Sequence, residues 1–467
     1  MENHKLLIGG ALVEGAGTAS VINPATEAAF ATVAWASAAQ ARQAVAAARA
    51  AFPAWAATPI AERRAKICAI ADALEARTAD FARTLSQEQG KPLHEATAEI
   101  GYACIFLRSL AALDLPADIV QDDDTVRVEV HRKPLGVVAA IIPWNFPILI
   151  IAFKLPCALL AGNSVVIKPA PTTPVTSLML GALIRDILPA GVVNIIAGDN
   201  AIGAELTSHP DVAKVSFTGS SETGKKVMAS AASTLKRLTL ELGGNDAGIV
   251  LPDVDVKQTA EKIFDAAFMN CGQVCLALKR AYVHSDIYDA MCDALGKLAQ
   301  DAVVDDGLKQ GTRIGPLQNK MQYEKVKALM AEAKATGTIV AGGEVESRPG
   351  YFIRPTIVRD VSDGDRIVDE EQFGPILPVI RFSEIDDVVA RANASPYGLG
   401  ASVWSADTAK AKAIAQRIES GTVWVNQHLH FGPHIPFGGA KQSGFGVEFA
   451  RQGLEEFTQV QVINMAK

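Results

Sequence analysis

Gly136-Val137-Val138-Ala139-Ala140-Ile141-Ile142-Pro143-Trp144-Asn145-Phe146-Pro147 opens the part of the chain whose rhythm decides the fold. An unbroken apolar run closed by a proline reads as a strand buried on both faces. Between Gly136 and Gly244 further strand-like stretches come at Ser164–Lys168, Val192–Ile196, Lys214–Phe217 and Arg237–Leu240. Helical patterns at Ala152–Leu160, Thr176–Ile187, Ala201–Ser208 and Gly224–Ala232 fall between them. The alternation predicts a parallel sheet covered on both faces, with ligands at the carboxyl ends of its strands. The stretch 245–445 repeats the pattern, with irregular loops at Gly311–Pro316 and Glu371–Pro375 and a late strand at Thr422–Asn426. A second α/β domain is expected there.

Upstream, Leu6–Val13 and Ala19–Asn23 read as an opening hairpin with Gly9-Gly10 as turn material. From Ser37 to Leu85, Val45, Ala48, Phe52, Ile67, Ile70 and Leu74 recur at helical spacing, with breaks expected at Pro53 and Pro59. A further helix is expected from Leu93 to about Leu113. In Asp122–Lys133, Val126, Val128 and Val130 alternate with Arg127, Glu129 and His131, the period of a strand with one wet face. A long edge strand of this kind invites pairing, with another chain or within an internal hairpin.

Composition bounds the function. A chain of 467 residues, 49% hydrophobic and 20% charged, is long enough for two or three domains around a large core. Its net charge of −7, with no Lys/Arg block, argues against nucleic acid as the main partner. No apolar run reaches membrane-spanning length, and Met1–Lys5 lacks the build of a signal peptide. Six cysteines in so long a chain are no disulfide framework, which makes a reducing cytoplasm the simpler expectation. Cys271 and Cys275 lack a matching second pair, so zinc is not expected.

Three stretches carry chemistry. In Asn270-Cys271-Gly272-Gln273-Val274-Cys275-Leu276-Ala277 a thiol sits on a short polar segment before a strand at Lys279–His284. A thiolate is a strong nucleophile where polar backbone surrounds it, although a lone cysteine beside alanines is more often a packed hydrophobe. In Leu240-Glu241-Leu242-Gly243-Gly244-Asn245 a carboxylate ends a strand among apolar residues, where a raised pKa suits a general base. The third stretch is Ile142–Pro147, at the end of the first strand.

Together these stretches, in this order, resemble the aldehyde dehydrogenase superfamily over nearly the whole chain. The resemblance implies an α/β fold with a Rossmann-type cofactor domain (residues 1–115 and 136–243), a catalytic α/β domain (244–445) and a β-strand oligomerisation arm (116–135 and 446–467). It implies a homodimer or homotetramer. It also implies that Cys275 attacks an aldehyde carbonyl while the Asn145 amide and the Cys275 N–H stabilise the oxyanion. Oxidation by a nicotinamide cofactor then leaves a thioester, which water activated by Glu241 hydrolyses to the acid. Members that pass the acyl group to coenzyme A lack this glutamate, so Glu241 favours the hydrolytic branch. Lys154 and Glu448 match a pair that relays protons to solvent, and Cys271 is expected to be a packed thiol.

The textual GxGxxG fingerprint is absent from the expected sheet. Phe217-Thr218-Gly219-Ser220-Ser221-Glu222-Thr223-Gly224 is a strand, turn and helix start that can face a pyrophosphate. By resemblance the cofactor is held by Ile142, Pro143, Trp144, Lys168, Gly219, Ser220, Gly224, Leu242 and Gly243. Glu371 and Phe373 lie on a loop matching the one that holds the nicotinamide ribose. Where NAD-preferring members often carry Glu three residues after the lysine, this chain has Pro171, so NADP becomes tolerable beside NAD. Phe153, Val274, Leu276, Leu429, Phe431 and Phe437 match the family's substrate tunnel. Their apolar and aromatic character suits neutral aldehydes, and the lack of a carboxylate among them counts against cationic ones. His428, His430 and His434 are expected to be loop or tunnel-mouth residues, and Arg108 lies on a helix that borders the tunnel in relatives.

Overall fold

The computed structural model describes residues 3–467, and among them are two large sheets and three small ones, one of which carries the C-terminal strand. The first sheet runs Gly444–Phe445, Arg237–Glu241, Val212–Thr218, Val137–Ile141, Ser164–Lys168, Val193–Ile195, Leu6–Ile8, Ala11–Val13. Its five central strands are parallel, and the helices Ala38–Ala57, Pro147–Leu160 and Val175–Ile184 pack on it. Parallel strands need helical crossovers, which cover both faces; hence Val137–Ala140 and Ser164–Lys168 are buried throughout. The outer strands are antiparallel, so the expected parallel sheet is mixed at its edges.

The second sheet runs Thr338–Ala341, Thr356–Arg359, Ile376–Phe382, Leu278–His284, Asp246–Val250, Gly400–Trp404, Thr422–Val425. It is parallel apart from its first strand. Val256–Phe268 and Tyr288–Asp301 pack together beside it, burying Ile263, Phe264, Met291 and Leu295. The C-terminal small sheet joins Asp118–Asp122 and Val126–Pro134 to the tail strand Thr458–Ala466, which pairs antiparallel along the whole of Val126–Pro134.

Two local expectations fail for physical reasons. The opening hairpin lies wholly within Leu6–Val13, turning at Gly9 and Gly10, whose φ values are +61° and +83°. Gly17–Ile22 pairs instead with Ala29–Trp35, a strand the periodicity did not reveal. Pro53 does not break its helix, which runs from Ala38 to Ala57. Proline removes only one helix donor, and Trp55, two residues on, is buried with its indole N–H donating to the Leu159 carbonyl at 3.2 Å. Ser37 supplies a capping box with Gln40 at the start of that helix, and Pro59 does mark the break before Ile60–Glu75.

Candidate active site

The site lies where the carboxyl ends of the first sheet's parallel strands meet the second sheet. Glu241 is the last residue of its strand, paired to Thr218 on one side and Gly444 on the other. Its carboxylate is buried, and neither oxygen has a hydrogen-bond partner among the described residues. Burial and the nearby Glu448 carboxylate raise its pKa well above the ordinary range, while Lys154 pulls it back. Lys154 forms a buried ion pair with Glu448 and donates to Ser216 Oγ at 3.0 Å. The polar chain Glu241, Glu448, Lys154, Ser216 therefore sits inside an apolar wall.

Cys275 occupies the second position of a turn, Val274–Ala277, closed by the Ala277 N–H donating to the Val274 carbonyl at 3.1 Å. The approach to this turn is strained. Asn270, Cys271 and Gly272 all have positive φ (51°, 57° and 71°), where L-residues cost about 1–2 kcal/mol each. A Cβ on Gly272 would stand 2.4 Å from the Gly374 carbonyl oxygen, so only glycine admits that close approach. Asn270 holds the strain: its N–H donates to Glu95 Oε2 at 3.0 Å and its side chain to the Asn145 carbonyl at 3.0 Å. Gln273 bonds back to the Asn270 carbonyl through both its N–H and its side chain. Cys271 is a buried thiol, pushed up by desolvation.

Burial pushes the Cys275 thiol up to about 12, with Lys279 pulling it down and the Asp246, Glu241 and Glu371 carboxylates raising it further. Asn145 is buried, and its side-chain amide donates to the Gln273 carbonyl at 3.0 Å. One amide hydrogen is thereby fixed and the second left to point elsewhere. The loop carrying Asn145 is clamped from below. Lys91 donates to the Asn145 carbonyl at 2.9 Å and pairs with Glu99 at 2.5 Å, its ammonium lying over the Phe146 ring. Glu99 also accepts the N–H groups of Ile148 and Leu149 at 3.0 and 3.2 Å, satisfying the first turn of the next helix.

The residues expected to hold a cofactor gather at the strand ends. Ile142 donates its N–H to the Lys168 carbonyl at 3.0 Å, and Gly219 its N–H to the Glu241 carbonyl at 3.0 Å. Ser220 caps the helix Ser221–Ala231, and Gly224 lets that helix close on Leu242, whose Cδ2 would lie 2.5 Å from an added Cβ. Lys168 is buried; among the described residues its ammonium donates only to the Pro169 carbonyl, and desolvation lowers it to about 8. Glu371 accepts the Gly244 N–H at 3.0 Å and lies 3.5 Å from Lys279; a Cβ at Gly243 would meet its Oε2 at 2.6 Å. Trp144 and Phe373 meet edge-on at 5.3 Å, and Pro143 joins Ile142 to Trp144. A buried lysine free of carboxylate contact, a capped helix start and a carboxylate beside a bare glycine fit a dinucleotide.

Of the tunnel residues, Val274 and Leu276 flank the thiol in a small apolar cluster that Phe437 and Leu429 pack against. Phe153 and Phe431 face each other edge-on at 6.1 Å beside Phe106 and Phe449. Phe437 exchanges both backbone hydrogen bonds with Glu448, tying the aromatic wall to the buried ion pair. The three histidines part company: His430 and His434 are exposed, whereas the His428 ring is buried and bonded to the Leu276 carbonyl at 2.8 Å. Arg108 points away from this wall to Asp72 and Glu75 on the neighbouring helix, at 2.7 and 2.6 Å.

Sequence reading missed the Lys91–Glu99 clamp, Asn270, Lys279 and Asp246. Two signals were there to be used: consecutive cations, Lys279-Arg280, in an otherwise apolar strand, and an aspartate opening the apolar strand Asp246–Val250.

Comparison with known proteins agrees with this geometry. The profile of the Aldehyde dehydrogenase family matches residues 12–463. An aldehyde dehydrogenase of a Fusarium species is 40% identical, covering 91% of this chain and 90% of its own. Phenylacetaldehyde dehydrogenase of Pseudomonas fluorescens is 39% identical, covering 99% and 96%. The NAD+ complex of an aldehyde dehydrogenase from Bacillus cereus superposes with a TM-score of 0.97 at 36% identity, covering 100% of this chain and 97% of that one. The chain belongs to the aldehyde dehydrogenase family, and it is an oxidoreductase of that family.

Proposed function

We propose that the protein oxidises neutral aldehydes, aromatic ones above all, to carboxylic acids with NAD+ or NADP+. The single observation that carries the hydrolytic half of this reading is Glu241, a buried carboxylate with no hydrogen-bond partner among the described residues, within electrostatic reach of the thiol. Such a group costs stability unless chemistry requires it.

The sequence of steps follows from the groups present. In the resting protein Cys275 is a thiol, so its proton must leave as sulfur attacks. Ionised Glu241 accepts it and passes it toward Glu448 and Lys154. The new C–S bond converts the carbonyl to an oxyanion, which meets the free Asn145 amide hydrogen and the Cys275 N–H. Lys168, the Gly219–Ser220 turn and Glu371 would hold a nicotinamide dinucleotide, which would supply the two-electron oxidation of thiohemiacetal to thioester by taking up its hydride. Water then loses a proton to Glu241 and adds to the thioester; the C–S bond breaks, and thiol and acid are released.

The ring wall of Phe106, Phe153, Phe431 and Phe449 favours an aromatic or long aliphatic tail. The relative that acts on phenylacetaldehyde supports that choice. Pro171 removes the carboxylate that would repel a 2′-phosphate, so both cofactors are accepted. Residues 116–135 and 446–467, joined in one small sheet with Val120 and Val462 exposed, are assigned to subunit contacts in a homodimer or homotetramer. The six cysteines are all free, as suits a cytoplasmic enzyme.

The test is reduced-nicotinamide formation from phenylacetaldehyde, benzaldehyde and hexanal, with NAD+ and NADP+ separately and without coenzyme A. Turnover in the wild type and none in Cys275→Ala is expected. Ester cleavage through Cys275 with no aldehyde turnover would replace this reading with a thiol esterase.

A further inference from the structure

We propose that Lys279, assisted by His428, is a positioning residue that aims the oxyanion-binding N–H groups of the nucleophile's turn. The proposal rests on the reading of Cys275 as the acyl-forming nucleophile.

In a trans peptide the C=O and N–H point in opposite directions, so whatever grips the carbonyl sets the heading of the amide. The Lys279 ammonium donates to the Val274 carbonyl at 2.9 Å and to the Cys275 carbonyl at 2.6 Å. These belong to the two peptides whose N–H groups are those of Cys275 and Leu276. Neither N–H has a hydrogen-bond partner among the described residues. Both therefore face away from Lys279, which is where donors for an oxyanion on the Cys275 adduct are needed. The next carbonyl, Leu276, accepts from His428 Nε2 at 2.8 Å. The carbonyl can only accept, which places the imidazole proton on Nε2, with Asp246 Oδ2 3.8 Å from the same nitrogen. The preceding carbonyl, Gln273, is held by Asn145 and Asn270. Four successive carbonyls around the nucleophile are thus drawn back into the protein by side chains.

A lysine buried to 3% exposure is costly unless its charge is answered, and here Glu371 stands 3.5 Å away with Asp246 also close enough to interact. His428 lies against the Trp424 ring at 4.6 Å, which fixes its plane. Lys279 and His428 hold the carbonyls of the turn, so their effect on the reaction runs through it.

The experiment compares two rates at Cys275, both without cofactor. One is acylation by p-nitrophenyl acetate, which forms an oxyanion. The other is alkylation by iodoacetamide, which consumes the same thiolate but forms none. Their ratio cancels any change in thiolate content or access. In Lys279→Met the ratio is expected to fall about tenfold, and in His428→Phe, which keeps the ring stack, about threefold. His428→Gln, which restores an N–H donor, is expected to return within about twofold of wild type. Melting temperatures identify any variant that fails to fold, and the His428 pair carries the test if Lys279→Met does. A ratio unchanged in the folded variants overturns the positioning role while leaving the proposed function intact. A wild type that p-nitrophenyl acetate does not acylate at Cys275 removes the proposed function and this inference together.

Discussion

Glu99 and Glu241 are both buried glutamates on either side of Asn145's loop and Cys275's turn, and they are treated in opposite ways. Glu99 has a partner at each oxygen: Lys91 on one, the Ile148 and Leu149 N–H groups on the other. Among the described residues, Glu241 has no hydrogen-bond partner on either. The first spends its charge on shape, holding the helix start and the loop that carries Asn145. The second is kept out of reach of any fixed donor and so remains a proton acceptor. A buried carboxylate with a full set of hydrogen bonds is architecture, and one left without them is a candidate for chemistry.

Breaking this contrast should produce opposite losses. Glu241→Gln is expected to lower turnover by a factor of about 10²–10⁴, while its denaturant midpoint does not fall. Steady-state kinetics and urea unfolding on one preparation check both halves. Glu99→Ala should do the reverse: stability drops by about 3–5 kcal/mol because Lys91 is left buried and unpaired. Unfolding at the wild-type midpoint would show that the clamp is not structural. Asn145→Ala sharpens the contrast from the other side of the clamp, raising the acylation barrier by about 2.7–4 kcal/mol in stopped-flow ester cleavage. Lys154→Met should move the rising limb of the pH–rate profile to higher pH. Lys154 pulls the Glu241 pKa down, so without it that pKa climbs, and the base ionises only in more alkaline solution. Arg108→Gln gives the smallest effect, under about 1 kcal/mol in unfolding and none in substrate preference. Its partners are largely exposed, at 69% and 61%, and it faces away from the aromatic wall.

Strand rhythm from Val137 to Leu240 was readable because parallel strands buried on both faces are largely apolar and alternate with helical patterns. Edge elements were harder. Among the described residues, Gly17–Ile22 and Ala29–Trp35 pair with each other and with Asn3–His4, and Ala29, Ala31 and Ala34, a residue type depleted in strands, blur the strand signal of Ala29–Trp35. Pro53 carried a helix-breaking signal that the burial of Trp55 overrode. At the site, Glu241 and Asn145 stood out because each ends an apolar run, whereas Cys275, on a short polar segment, stood out only through the family resemblance of its stretch. Glu99 and Lys91 were invisible for the opposite reason. On a helix face and in a loop, charged residues look like solvent contacts, and only the fold shows that both side chains are fully buried. Lys279 was hidden by its position in a strand, where side-chain contacts with carbonyls four and five residues back depend on the turn between.

The most direct test of Glu241 as the hydrolytic base is the intact mass of Glu241→Gln after mixing with phenylacetaldehyde and NAD+. With water no longer activated, the account predicts that protein gains the mass of a phenylacetyl group, lost again when Cys275 is also replaced by Ala. Unmodified protein turning over at the wild-type rate would contradict it.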